Sequence, residues 1–137
     1  MAAAVLDEIA AMAYAAYPLE GCGLLVGTPG TATNSTTTDV VERFVRCRNT
    51  AESARVYTVD PLDHLHAERA ADDDGFEIIG VVHSHTHSEP YPSATDVAQA
   101  PDPSWHYVIV GLKRAAPEFR DYRIADGDVT ELPITVV

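Results

Sequence analysis

The 137-residue chain is long enough to bury a core of its own, and 46% hydrophobic with 22% charged residues describes a globular protein and not a disordered one. Nine Lys and Arg stand against 21 Asp and Glu, a net charge of −12. So acidic a surface repels phosphate backbones and anionic membranes, which excludes nucleic acid and membrane surfaces as expected partners. The two cysteines, Cys22 and Cys47, are too few for a disulfide scaffold and form no CxxC pair, so both are expected in the core of a protein from a reducing compartment. Asp7 and Glu8 near the start, with no basic residue before Arg43, do not resemble a signal peptide, and no apolar run has the length of a membrane span. The expected location is the cytoplasm, and the expected organisation is a single domain over residues 1–137.

In chain order, Val5, Leu6, Ile9, Met12 and Ala13 recur at helical spacing, predicting a helix from Val5 to Tyr17 that Pro18 ends. Cys22 to Gly27 reads as a short buried strand. Thr28 to Asp39, rich in Thr, Gly, Pro, Asn and Ser, reads as an exposed loop. Val40 to Cys47 and Arg55 to Val59 suit two further strands. Asp60-Pro61 supplies an N-cap acid and a proline at the first helical position, predicting a helix to about Asp74 with Gly75 as its stop. Phe76 to His85 is the clearest strand. Ser93 to Ala100 predicts a short helix closed by Pro101. Trp105 to Leu112, Glu118 to Ala125 and Val129 to Val137 read as strands, the last two joined by the hairpin signal Asp126-Gly127. Helices mixed with at least six short strands give an α/β or α+β sandwich, whose exposed edge strand would serve either a homodimer or substrate binding.

The chemistry concentrates in the run from His83 to Asp96. Side chains two apart on a strand share a face, so His83 and His85 offer two imidazoles to one ion. Asp96 falls in the first turn of the next helix, after a loop stiffened by Pro90 and Pro92. Two imidazoles and one carboxylate leave a fourth position open, the plan of a catalytic zinc site. Each piece has a plainer reading. An HxH pair alone is weak evidence of a metal, and Ser93-x-x-Asp96 is also a helix capping box in which Asp96 satisfies a backbone N–H.

Glu20, in the run Pro18-Leu19-Glu20-Gly21-Cys22-Gly23-Leu24-Leu25-Val26-Gly27, adds the further element. A glutamate, then His83-x-His85, seven residues, Ser93, two residues and Asp96 resembles the JAMM motif of the MPN-domain metalloproteases at every position. The resemblance spans roughly Tyr17 to Leu112. It implies a curved mixed sheet flanked by helices, similar to the deaminase fold, with zinc on His83, His85 and Asp96. It also implies Glu20 as general base and then general acid, and Ser93 as hydrogen-bond donor to the developing oxyanion. Without it Glu20 is one acid among 21, and no local spacing brings it to His83. His87 continues the alternation and is expected as a substrate or outer contact. His64 and His66 are expected on a solvated helix face, and His106 in a structural role.

In place of the proline that follows the second histidine in many members, this chain has Thr86. The HSHT variant with Tyr91-Pro92-Ser93, and the closing Asp121-Tyr122-Arg123-Ile124-Ala125-Asp126-Gly127, is similar to actinobacterial peptidases that act on a small ubiquitin-like sulfur-carrier protein. That likeness implies release of a cysteine from the carrier's Gly-Gly tail. Three alternatives stay open: the same hydrolase on another ubiquitin-like or peptide substrate, a non-catalytic MPN scaffold, and a two-histidine, one-carboxylate iron site.

Overall fold

The computed structural model describes residues 1–30 and 39–137; most of the loop expected between Thr28 and Asp39 lies outside the described residues. The elements follow the order α1 (Ala3–Ala16), β1 (Cys22–Thr28), β2 (Val40–Cys47), α2 (Pro61–Asp73), β3 (Glu77–His85), α3 (Ala94–Ala98), β4 (His106–Gly111), β5 (Glu118–Ala125) and β6 (Asp128–Leu132). The six strands form one mixed sheet in the order β2-β1-β3-β4-β5-β6, which is the mixed α/β architecture expected. No described helix is long and apolar enough to cross a membrane.

The sheet is covered on both faces, which explains why β1, β3 and β4 read as nearly continuous apolar runs. On one face α1 lays Val5, Ile9, Met12 and Ala13 against Leu25, Phe44, Val82, Val108 and Val110. On the other, α2 contributes Ala67 beside Leu24, Val81, Tyr107 and Ile109. Asp60 caps α2, its carboxylate accepting from the Leu62 N–H at 2.8 Å, with Pro61 in the first turn as the sequence predicts. Gly75 follows the helix at φ 76°.

Every neighbouring pair is antiparallel except β3 with β4. A parallel pair needs a long crossover, and here it runs from residue 86 to residue 105 over the end of β3. That detour carries α3 and Asp96 back above the histidines. The β5–β6 turn is the two-residue hairpin expected, with Asp126 and Gly127 at φ 51° and 81°, the positive angles of a type I′ turn.

Two expectations fail. Arg55 to Val59 is not a strand; only Val59 forms a bridge, with Asn49. Its neighbours' main-chain groups bond instead to the Asn49 side chain, whose Nδ2–H donates to the Val56 carbonyl and whose Oδ1 accepts from the Thr58 N–H. The last strand stops at Leu132, because Pro133 has no N–H to continue the ladder. Beyond it the chain pairs with the N-terminus, where the Met1 ammonium donates to the Thr135 carbonyl.

Candidate metal centre

The alternation of β3 sends His83 and His85 to one face, 2% and 4% exposed, and Ser84 to the other. Ser84 accepts at Oγ from the Gly21 N–H at 2.8 Å and donates its own N–H to the Gly21 carbonyl at 3.0 Å. This pair of hydrogen bonds, with the register Cys22↔His83, delivers Glu20 to the end of β3 across 63 residues of sequence. The Glu20 main chain is held on both sides: its N–H donates to the Ser53 carbonyl, and its carbonyl accepts from Asn49 Nδ2 at 3.0 Å.

After His85 the chain turns through Pro90, whose ring packs over Gly111 so closely that a Cβ there would lie 3.1 Å from it. The Tyr122 O–H donates to the Pro90 carbonyl, and the Glu89 carboxylate pairs with Lys113 and Arg114. These bonds fix the loop that feeds α3. At its start Ser93 Oγ accepts from the Asp96 N–H at 3.0 Å, and Asp96 Oδ2 accepts from the Ser93 N–H at 2.9 Å, a complete capping box.

The capping carboxylate of Asp96 also faces both histidines. The same Oδ2 lies 3.1 Å from His83 Nε2 and 3.2 Å from His85 Nε2, and the two Nε2 atoms are 3.0 Å apart. One carboxylate oxygen has two lone pairs, so capping a backbone N–H leaves Oδ2 able to hold a cation as well. Bonds of ~2.0–2.1 Å in a tetrahedral site would set ligand atoms about 3.3 Å apart, close to these separations. The chemistry of the donors also fits a cation. His85 Nδ1–H donates to the Glu89 carbonyl at 2.8 Å, which leaves the Nε2 of a neutral ring as a lone pair aimed at a carboxylate lone pair. Among the described residues these three form the one group with metal-ligand spacing.

Electrostatics sort the roles further. Burial holds His83 below the ordinary histidine range against the pull of Asp96. Burial also works against the His85 cation, but Asp96 and the Glu89 carbonyl prevail and raise it. Burial would raise Asp96, yet the two imidazoles hold it well below the usual carboxylate range. Glu20 is 4% exposed, and its Oε1 has no hydrogen-bond partner among the described residues. Burial, helped by Asp96 and opposed by His85, pushes its carboxyl up to about 7. A group at that value can take and return a proton at neutral pH. Ser93 spends an Oγ lone pair on the cap and keeps its O–H to donate.

A family model described as prokaryotic homologs of the JAB domain matches residues 2–125. The chain belongs to the JAB/MPN family. It is 38% identical over 134 residues to the CysO-cysteine peptidase of Mycobacterium tuberculosis, covering 97% of this chain and 87% of that one. The solution structure of a Desulfitobacterium hafniense protein superposes with a TM-score of 0.85 at 30% identity, covering 99% of this chain and 90% of that one. A JAB1/MPN domain protein from Archaeoglobus fulgidus shares the fold at 20% identity, with a TM-score of 0.59 over 97% of this chain and 94% of that one.

The JAB fold thus gathers His83, His85 and Asp96 with Glu20 near them, and leaves the other histidines outside. His87 is exposed, its Nε2 3.3 Å from the Tyr17 hydroxyl. His64 stands beside Glu68 and Trp105, and His66 is exposed. His106 lies 2.6 Å from both Asp39 and Asp121, away from the cage. Burial pushes the Cys22 and Cys47 thiols up to about 12, as suits core residues and not nucleophiles. Sequence reasoning missed Ser84, Asn49 and the Glu89 carbonyl. Each acts through a partner distant in sequence or through its main chain, and only the alternation of β3, which sets Ser84 opposite the histidines, carried a signal.

Proposed function

We propose that this chain, acting as one domain over residues 1–137, is a zinc peptidase. Its substrate on this reading is a small ubiquitin-like sulfur-carrier protein, cut after the C-terminal Gly-Gly to release cysteine. The observation that carries the catalytic reading is Glu20, a buried carboxyl beside three convergent donor atoms whose Oε1 has no hydrogen-bond partner among the described residues, and which burial pushes up to about 7. The substrate reading is supported by similarity to the CysO-cysteine peptidase along nearly the whole chain.

Zinc held by His83, His85 and Asp96 would supply a Lewis acid and lower the pKa of a water toward ~7. Glu20 would accept a proton from the attacking water as it adds to the scissile carbonyl and would return it to the departing amine, which leaves as the α-amino group of cysteine. The Ser93 O–H donates to the oxygen on which negative charge develops. The capping box holds Ser93 and Asp96 in one rigid turn, so donor and ligand keep a fixed relation. A glycine tail suits an extended bound segment, recognised through main-chain hydrogen bonds without side-chain pockets.

Intact-mass spectrometry of a sulfur-carrier protein ending in Gly-Gly-Cys, incubated with wild type and with Glu20→Ala, tests the reading. Loss of one cysteine residue with wild type alone is the expected result. No loss from a zinc-loaded enzyme discards cysteine release and leaves another peptide or ubiquitin-like substrate. No loss and no zinc favours a binding scaffold.

A further inference from the structure

The two imidazoles of the cage are held differently. His85 is fixed at its outer nitrogen, which donates to the Glu89 carbonyl, the usual means of setting the rotation of a ligating histidine. His83 has no such bond: its Nδ1 is buried and has no hydrogen-bond partner among the described residues. Rotation about the last side-chain bond of a histidine is soft, so another contact must set this ring. Tyr57 supplies it. Its ring lies over the His83 imidazole with centroids 4.2 Å apart and planes inclined by 17°. A flat ring on a flat ring resists rotation out of the plane while leaving the imidazole edge, and Nε2 with it, free to face the cage.

Tyr57 is itself clamped from both sides by one side chain. Asn49 Nδ2–H donates to the Val56 carbonyl at 3.1 Å, and Asn49 Oδ1 accepts from the Thr58 N–H at 2.9 Å. The Thr50 N–H adds a bond to the Thr58 carbonyl at 2.9 Å. Because Asn49 Nδ2 also donates to the Glu20 carbonyl, one amide ties the Tyr57 segment to the segment that carries Glu20.

We infer that Tyr57 is a positioning residue of the metal centre, its ring plane doing for His83 what the Glu89 carbonyl does for His85. The inference rests on the proposed zinc site and adds a residue to it. The plane acts and the hydroxyl does not, so Tyr57→Phe preserves the function while Tyr57→Leu and Tyr57→Met remove it.

Zinc affinity, measured by competition with a chromogenic chelator, tests this on the full chain, with thermal unfolding of each metal-free variant alongside. Wild type and Tyr57→Phe are expected to agree within about threefold, and the two non-planar variants to bind about 10–100-fold more weakly. Met is flexible and adapts to irregular cores, so the metal-free Tyr57→Met protein is expected to stay folded and to decide the matter if Tyr57→Leu does not. A folded Tyr57→Met protein with wild-type affinity overturns the inference. So does one that fails to fold, because the ring would then serve the core, and so does a Tyr57→Phe protein as weak as Tyr57→Met. Wild type that binds no zinc overturns the metal site itself, a failure distinct from the others.

Discussion

Glu20→Gln is expected to cut turnover sharply and at the same time stabilise the metal-free fold at alkaline pH. Folding moves this carboxyl from its ordinary 4.5 to about 7, chiefly by burial. Ionising it in the folded state therefore opposes folding, by about 3 kcal/mol once the pH exceeds 7, at roughly 1.4 kcal/mol per unit. The sign follows from proton counts: between the two values the folded state holds a proton that the unfolded state has released, so stability falls as the pH rises. Glutamine fills nearly the same volume without that penalty. Thermal unfolding in chelator at pH 5 and pH 8 reads the effect. At pH 5 the two proteins should melt close together, and at pH 8 the variant should melt higher by on the order of 10 °C. Turnover should drop by about 10²–10⁴, the usual worth of a positioned base. A variant that melts below wild type at pH 8, or a gain as large at pH 5 as at pH 8, would refute the reasoning.

His106→Ala should cost about 3 kcal/mol at pH 6, the low end for a broken buried pair, because it leaves the Asp121 carboxylate, 8% exposed, without a cation and Asp39, 12% exposed, with Arg123 alone at 4.0 Å. Burial alone would lower the His106 pKa, but Asp121 and Asp39 raise it above its ordinary 6.5. Its stabilisation is thus complete below 6.5 and fades as the pH rises through the folded value, so the melting gap between wild type and variant should narrow toward pH 9; a gap that widens there contradicts the pairing. Ser93→Ala should lower kcat by about 10²–10³ through loss of the oxyanion donor. It should cost only ~1 kcal/mol of stability through loss of the cap, and an unchanged kcat would remove Ser93 from the chemistry.

What could be read in advance divides by the range of the interactions. His83, His85 and Asp96 lie within 14 residues, and their grouping follows from strand alternation and a capping box, both local rules. Glu20 could be read only through the family pattern, because its place is set by the β1–β3 register and the Gly21–Ser84 bonds, which no local rule specifies. Arg55 to Val59 has strand-like composition, yet Asn49 captures the main-chain groups of Val56 and Thr58 that a neighbouring strand would need. His106 lies outside the cage, and its partners at 39 and 121 come together only when β4 and β5 pair and the residue just before β2 lies against them. Polar residues that act at long range leave no periodic trace, which is why Asn49 and Tyr57 emerge only from the folded chain.

The most direct test of the central claim is metal content per chain, by inductively coupled plasma mass spectrometry, on protein purified without added metal beside Asp96→Asn. Near-stoichiometric zinc in wild type and little or none in the folded variant is the predicted result. Iron in place of zinc, or zinc retained in full by Asp96→Asn, would contradict it.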